Sequence, residues 1–73
     1  MPKKPKFKIG EEVLYTRIFY NPIDEQIESR IDNYTVTEII WDYTVNDWLY
    51  KIESRYNCVW LFKESIRRRT KED

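Results

Sequence analysis

Short runs of alternating apolar and polar residues dominate the chain. β-Branched and aromatic residues fill residues 13–20, 34–41, 48–53 and 58–62, and a polar or turn-forming segment separates each run from the next. This pattern is typical of β-strands that bury one face. In the third run, for example, Trp48, Tyr50 and Ile52 share one face of the predicted strand, because successive side chains of a strand alternate between its faces.

Turn signals separate the predicted strands. Gly10 is expected to turn the chain into the first strand, and Asn-Pro-Ile-Asp at residues 21–24 and Asp-Asn at residues 32–33 are both typical of turns. The polar residues 42–47 predict a hairpin turn, with Asn46-Asp47 as its best centre. Residues 63–66, Lys-Glu-Ser-Ile, predict a single 3₁₀ turn near the C-terminus.

Residues 25–31 fit two patterns. Ile23, Ile27 and Ile31 recur at the i, i+4 spacing of a helix, whereas Ile27 and Ile31 also alternate as they would in an edge strand with a polar face. Within residues 20–33 we therefore expect a long loop or an irregular strand, and the sequence leaves open which of the two forms.

The sequence predicts one small all-β domain. With 73 residues, no alanine, one glycine and twelve aromatic rings, the composition favours strands over helices. Four or five short strands with one long early loop predict a closed or nearly closed barrel, because closure removes sheet edges that would otherwise be open to aggregation. The predicted division is a flexible basic arm over residues 1–6, the barrel over residues 7–66 and a charged tail over residues 67–73.

Four segments, in order, resemble the small bacterial and bacteriophage SH3-like proteins. Phe-Lys-Ile-Gly-Glu-Glu-Val at residues 7–13 resembles their opening F-x-(I/V)-G-(D/E)-x-V, and Val-Thr-Glu-Ile at residues 36–39 resembles their V-T-x-I. Tyr-Lys-Ile at residues 50–52 is similar to Y-x-(I/V), and residues 60–66 are similar to the closing W-(V/L)-x-x-E-x-(L/I). The resemblance implies an SH3-like barrel of about five strands and a role in binding protein or nucleic acid. The A-L-Y-D-Y opening and the adjacent tryptophan pair of the proline-binding members are missing, so we do not expect polyproline binding.

The residue types argue against catalysis. The chain has no histidine and a single cysteine, so it offers no histidine base, no ordinary zinc site and no internal disulfide, and its one glycine cannot form a phosphate-binding loop. Its acidic clusters could in principle hold a hard cation, but a solvated rim is the favoured interpretation. We expect no enzymatic activity, cofactor, metal or small-molecule substrate. No apolar run has the length of a membrane span, and a cytoplasmic location is the default expectation.

Surface aromatic rings are the first candidate binding feature. Twelve rings exceed what so small a barrel can bury, and those beside the predicted turns are expected at the surface, where they would either contact a partner or cap the ends of a poor core. Acidic residues early in the chain could steer a basic partner. The predicted contact rings are Tyr20, Tyr34, Trp41 and Tyr43, and the predicted steering charges are Asp24, Glu25 and Glu28.

Charge along the chain supplies the alternative. Residues 1–8 carry +4, residues 9–62 carry −6 and residues 63–73 carry +2, so an acidic body has basic ends. We expect a non-enzymatic protein-binding module of bacterial or phage type, such as a small inhibitor or adaptor of a larger protein. The alternative is a nucleic-acid-binding accessory protein. It would use stacked rings together with Lys4, Lys6, Lys8, Arg67, Arg68 and Arg69. A third alternative is self-association through an uncovered edge strand, as a weak homodimer.

Overall fold

The computed structural model describes residues 3–69, which form an all-β chain. Its strands are β1 (Glu12–Asn21), β2 (Gln26–Asp42), β3 (Asp47–Glu53), β4 (Cys58–Leu61) and β5 (Arg67–Arg68), and a 3₁₀ turn (Lys63–Ser65) precedes β5. They form one antiparallel sheet in the order β4-β3-β2-β1-β5. The all-β class and the 3₁₀ turn are confirmed. The sheet is not closed, since β4 and β5 are its two edges.

The connection from β4 to β5 requires the sheet to curve. Across the strand pairs, Leu61 is level with Ile39 of β2, and Arg67 is level with Asn33 of β2. In a flat sheet, four strand spacings and five residues of offset along the strands would separate Leu61 from Arg67 by about 25 Å. The intervening residues, three of them in the 3₁₀ turn, span about 18 Å at most. The sheet therefore coils, and this connection crosses its concave side.

A β-bulge in the middle of β2 helps the sheet to bend. The register between β2 and β3 shifts between Val36 and Glu38, so Thr37 is an extra residue opposite β3. Its hydroxyl donates to the carboxylate of Glu53 at 3.2 Å. Because one residue is inserted, Val36 and Ile39 both point into the core although they are three residues apart. The bulge lies within the Val-Thr-Glu-Ile segment of the sequence.

The core lies on the concave side of the sheet. Seven side chains are buried in one cluster: Phe7, Val13, Tyr34, Val36, Tyr50, Ile52 and Ile66. Two of them, Phe7 and Ile66, lie outside the strands. They cover the concave side, which an open sheet would otherwise expose. The Phe7 ring meets Tyr50 edge to face, with the ring centroids 5.2 Å apart.

A long two-stranded ribbon replaces the expected early loop, so the loop is wrong, and the strand left open as the alternative for residues 20–33 is what forms. β1 and β2 pair without a break, from Glu12 opposite Thr35 to Asn21 opposite Gln26. Only residues 22–25 form the turn. β5 pairs with β1 only at Val13 and Leu14, and β3 pairs with β2 only from Thr35 onward. Residues 15–32, called the ribbon below, therefore project beyond the sheet. Of the isoleucines at helical spacing, Ile27 and Ile31 are strand residues and Ile23 is in the turn. The partners of Ile27 and Ile31 across β1 determine this conformation, and the sequence pattern alone does not show those partners.

The β2–β3 hairpin turn and the two ends of the chain also differ in detail from the expectations. The turn is formed by residues 43–46, closed by a 2.8 Å bond from the Asn46 N–H to the Asp42 carbonyl, so Asn46 ends the turn and Asp47 begins β3. The sheet continues to Arg68, beyond the boundary expected at residue 66. At the other end, the Lys6 N–H donates to the Tyr50 hydroxyl at 2.8 Å. The flexibility expected of residues 1–6 stays a prediction, and residues 1–2 and 70–73 lie outside the described residues.

No helix in the described part of the chain is long and apolar enough to cross a membrane.

Candidate interaction surface

One face of the ribbon carries no charged side chain. Directly paired residues of an antiparallel ribbon share a face, and the register sets Thr16 opposite Ile31, Ile18 opposite Ser29 and Tyr20 opposite Ile27. This isoleucine face consists of Thr16, Ile18, Tyr20, Ile27, Ser29 and Ile31. In a chain of which 36% of the residues are charged, the face is a continuous uncharged strip.

The isoleucine face is also the more exposed face of the ribbon. The exposed fractions are 68% for Ile18, 58% for Tyr20, 73% for Ile27 and 53% for Ile31. Ile23, in the turn at the tip, is still more exposed. Single exposed apolar residues are common in proteins, but a contiguous group on one surface indicates an interaction site.

The opposite face of the ribbon is charged, and most of its side chains are half-buried. Arg17 is at its centre: the guanidinium donates to the Asp32 carboxylate at 2.8 Å and lies 4.7 Å from the ring centroid of Phe19 and 4.2 Å from that of Tyr56. The hydrogen bond to Asp32, followed by the negative charge of that carboxylate, raises the pKa of Arg17 above its usual value. Tyr56 belongs to the turn between β3 and β4, so Arg17 fastens the ribbon to the body of the sheet. The face that stays open is therefore the apolar one.

Asn21 organises the tip of the ribbon. Its side-chain oxygen accepts from the Ile23 N–H at 3.0 Å, and its amide group donates to Glu28 at 3.0 Å and to Asp24 at 3.3 Å. The turn ends at Glu25, whose φ of 54° lies in the left-handed region. Asp24 and Glu25 are exposed at the tip, whereas Glu28 is half-buried on the charged face.

The structure separates the predicted contact residues into two groups. Tyr20, Asp24, Glu25 and Glu28 lie at the tip of the ribbon, whereas Trp41 and Tyr43 lie at the far end of β2. β2 has 17 residues and the longest dimension of the molecule is 49 Å, so the two groups cannot form one contact surface.

Tyr34 is not a surface ring, and the expectation that it is exposed was wrong. It is 1% exposed, and its hydroxyl is 2.5 Å from Asn57 Oδ1. The reason is that residues 32–33 are part of β2 and not a turn, so alternation along the strand places Tyr34 on the concave side, beside Val36.

The second group forms an aromatic cluster around Trp41. Its ring packs edge to face on Trp48, 5.1 Å away between centroids, and on Tyr43 at 6.4 Å. Trp41 is half-buried by these contacts, whereas Tyr43 is 81% exposed. On the same hairpin, the Asp42 pKa is lowered because its carboxylate accepts hydrogen bonds from the hydroxyl and N–H of Thr44. Trp41 therefore packs largely within its own hairpin, and Tyr43 is the exposed ring of the group.

The structure separates the predicted basic residues into three sets. Arg68 pairs with Glu11 at 3.2 Å and Arg69 pairs with Glu12 at 2.5 Å, so these arginines bind acidic groups of the same chain. Lys4 and Lys6 lie in a shallow groove of about 240 Å³, together with two further lysines. Lys3, Lys4, Lys6, Asp47, Trp48, Tyr50 and Lys63 line it. Lys8 and Arg67 are exposed outside this groove.

The isoleucines of the ribbon are the residues that sequence reasoning missed. The alternation of Ile27, Ser29 and Ile31, with Ile18 and Tyr20 alternating on the preceding segment, was the available signal. It shows that these residues share a face only once the two segments are known to pair. The sequence also missed Trp60 as an exposed ring.

No three histidine, cysteine, aspartate or glutamate side chains among residues 3–69 come together in a way that could hold a metal ion. Compared with known proteins, the chain matches no protein-family model, no curated protein and no solved structure.

Proposed function

We propose that this chain is a non-enzymatic protein-binding module that docks on its partner through the isoleucine face of the ribbon. The observation that carries the proposal is the difference in exposure between the two faces of the ribbon. Most side chains of the charged face are half-buried, and every side chain of the uncharged face is exposed to solvent. Covering Ile18, Ile27 and Ile31 would remove apolar area from water at a gain of roughly 25 cal/mol per Å². A protein surface with an apolar centre is the complementary partner.

The tip of the ribbon suits a partner whose apolar site has a basic rim. Asp24 and Glu25 are exposed next to the isoleucine face, at the end of the ribbon that projects farthest from the sheet. Charges at the rim of an interface act mainly on the rate of association and on the choice of partner. The acidic tip therefore orients the encounter, and the isoleucines supply the affinity.

An SH3-like barrel is the fold that we propose for the module. Three observations support it: the coiled five-strand sheet, the single 3₁₀ turn between β4 and β5, and the bulge within the Val-Thr-Glu-Ile segment. The bacterial or phage type, the role as an inhibitor or adaptor and the cytoplasmic location are proposals that rest on the sequence resemblance and the composition.

Copurification with matched variants tests the protein-binding proposal. Tagged wild-type protein, the double variant Ile27→Ser/Ile31→Ser and the control Ile40→Ser are used to capture partners from a bacterial lysate treated with nuclease. Ile40 is an exposed isoleucine of β2 outside the ribbon, so its variant matches the chemistry without touching the isoleucine face. We expect proteins that bind the wild type and the control and are lost from the double variant. Equal capture by all three proteins, while circular dichroism shows each one folded, would contradict the proposal.

Nucleic-acid binding through the lysine groove is the second candidate, and one observation favours it. Lys3, Lys4, Lys6 and Lys63 converge beside the ring of Trp48, with Asp47 the one acidic group that lines the groove. Lysines that neutralise phosphates, next to a ring that can stack on a base, are typical of single-strand binding. In the same experiment without nuclease, this function would appear as nucleic acid captured equally by all three proteins and released by added salt.

A further inference from the structure

The outer edge of β1 is open along the ribbon. β5 pairs with β1 only at Val13 and Leu14, and in the part of the chain that the structure describes no strand lies beside β1 from Thr16 to Tyr20. Backbone N–H and C=O groups that point outward from such an edge are ready to pair with another strand.

This edge lacks the features that usually prevent pairing. Between Thr16 and Tyr20 there is no proline and no bulge, and the one charged residue, Arg17, is already held by Asp32 and two rings on the charged face. The outer edge of β2 in the ribbon carries three charged residues, Glu28, Arg30 and Asp32. Of the two ribbon edges, the one formed by β1 is therefore the better template.

We infer that the open edge of β1 pairs antiparallel with the same edge of a second copy of this chain, on a two-fold axis at Ile18. Ile18 is the midpoint of the open stretch, so this register gives the longest symmetric overlap. It sets Ile18 opposite Ile18 of the second copy and Arg17 opposite Phe19 of the second copy. No like charges face each other, whereas an axis at Arg17 would place two arginines directly opposite.

A groove beyond the open edge accommodates the tip of the second copy. It has a volume of about 380 Å³ and is lined by Tyr15, Thr16, Ile18, Glu64, Ser65 and Arg67. In the Ile18-centred register, the chain that follows Tyr20 of the second copy runs toward this groove. The exposed acidic residues Asp24 and Glu25 of the second copy then approach Arg67, whose positive charge complements theirs. The acidic residue of the groove, Glu64, is paired with Lys63 at 3.7 Å.

Dimerisation also changes the size of the isoleucine face. The face of one ribbon is about 20 Å long and 10 Å wide, which is small beside the roughly 800 Å² that one protein contributes to a standard interface. Pairing of two β1 edges joins two isoleucine faces into one four-stranded surface. The dimer goes beyond the proposed function and does not depend on it, because it forms without any other protein.

Sedimentation equilibrium with variants of opposite charge tests the two-fold axis. The wild type, Ile18→Lys, Ile18→Glu and their equimolar mixture are compared from low micromolar to millimolar concentration, each checked for folding by circular dichroism. We expect the wild type to dimerise as its concentration rises. Each single variant should raise the dissociation constant at least about tenfold, since like charges then meet at the axis. The mixture should dimerise again, because lysine then faces glutamate.

The control variant Ile27→Lys separates edge pairing from stacking of the two faces. Ile27 is on the isoleucine face but on β2, away from the β1 edge. If the dimer forms by edge pairing, the dissociation constant of the Ile27→Lys dimer should therefore match that of the wild type. A wild type that stays monomeric at every concentration would overturn the proposal. So would a mixture that stays monomeric, or an Ile27→Lys variant that loses dimerisation as fully as Ile18→Lys. Because no other protein is present, these results are independent of the copurification.

Discussion

At the scale of single residues, both hairpin turns end in a left-handed conformation. Glu25 has a φ of 54° and Asn46 has a φ of 56°. Each turn begins with a side chain that accepts hydrogen bonds from the turn backbone, Asn21 in the first and Asp42 in the second. The two turns differ in their last residue, and asparagine adopts the left-handed conformation at a lower cost in free energy than glutamate does.

Replacing Glu25 with glycine should therefore stabilise the protein. Glycine removes the left-handed penalty, which its greater freedom in the unfolded chain offsets in part, so we expect the free energy of unfolding to rise by about 0.5–1 kcal/mol. Urea denaturation measures it. Asn46→Gly is the matched control, at the same position of the other turn, and should change stability by less. A loss of stability in Glu25→Gly, or an equal gain in both variants, would contradict the strain at Glu25.

At the scale of elements, the ribbon needs support from outside its own two strands. A two-stranded hairpin is only marginally stable in water, and the ribbon buries little on its isoleucine face. The support comes from the contact of Arg17 with Asp32 within the ribbon and with Tyr56 on the β3–β4 turn. The orientation of the proposed docking surface thus depends on a residue of the opposite face.

Loss of Arg17 should loosen the ribbon without unfolding the sheet. In Arg17→Ala we expect the amides of residues 16–20 and 26–31 to exchange hydrogen roughly two- to tenfold faster, while the amides of β3 keep their wild-type rates. Hydrogen exchange at low protein concentration measures this, so that dimerisation adds no protection. Arg30→Ala is the control, because Arg30 pairs directly with Arg17 across the ribbon but is exposed. Equal acceleration in both variants would mean that the Arg17 contacts do not hold the ribbon.

At the scale of the whole molecule, Asp47 joins three distant parts of the chain. It begins β3, and its carboxylate pairs with Lys63 of the 3₁₀ turn at 2.9 Å and with Lys3 at 3.6 Å. The hydrogen bond from Lys63, and then that from the Trp48 N–H, lowers the pKa of Asp47. The same contact with Asp47 raises the pKa of Lys63. This ion-pair network therefore connects to β3 the two segments that cover the concave side, namely the N-terminal segment that contains Phe7 and the 3₁₀ turn that precedes Ile66.

The network predicts that acid weakens the fold. A carboxyl group whose folded pKa is lowered stabilises the protein above its unfolded pKa, about 3.9, and this stability is lost as the pH falls through the lowered folded value. As the pH is lowered below about 4, we expect the urea concentration at the midpoint of unfolding to decrease for the wild type. The decrease should be less steep for Asp47→Asn.

A double-mutant cycle with Lys63→Met serves as the control. If Asp47 and Lys63 stabilise the protein as a pair, the free energy of unfolding should decrease no more in the double variant than in either single variant. An Asp47→Asn variant with the wild-type steepness below pH 4 would show that other carboxylates carry the acid sensitivity.

The candidate site was only partly predictable from the sequence. Tyr20, Asp24 and Glu25 were placed correctly near a turn, because asparagine and proline at residues 21–22 are strong local signals. Tyr34 was misplaced and Ile18 and Ile27 were overlooked for one reason: which face a strand residue occupies depends on the pairing of residues far apart in sequence. A shift of one residue in the pairing register moves every side chain of the strand to the opposite face, so buried and exposed residues change places.

By itself, the sequence determined the properties that act over short distances along the chain. The all-β class, most of the strands and the 3₁₀ turn follow from residue preference and local alternation, and the charge distribution follows from counting. Only the tertiary structure decided that residues 26–33 form a strand, that the ribbon exposes its uncharged face and that the edge of β1 is left open. These features are set by the register between strands, by the length of β5 and by the contact of Arg17 with Tyr56, and each of them joins residues that the linear pattern does not connect.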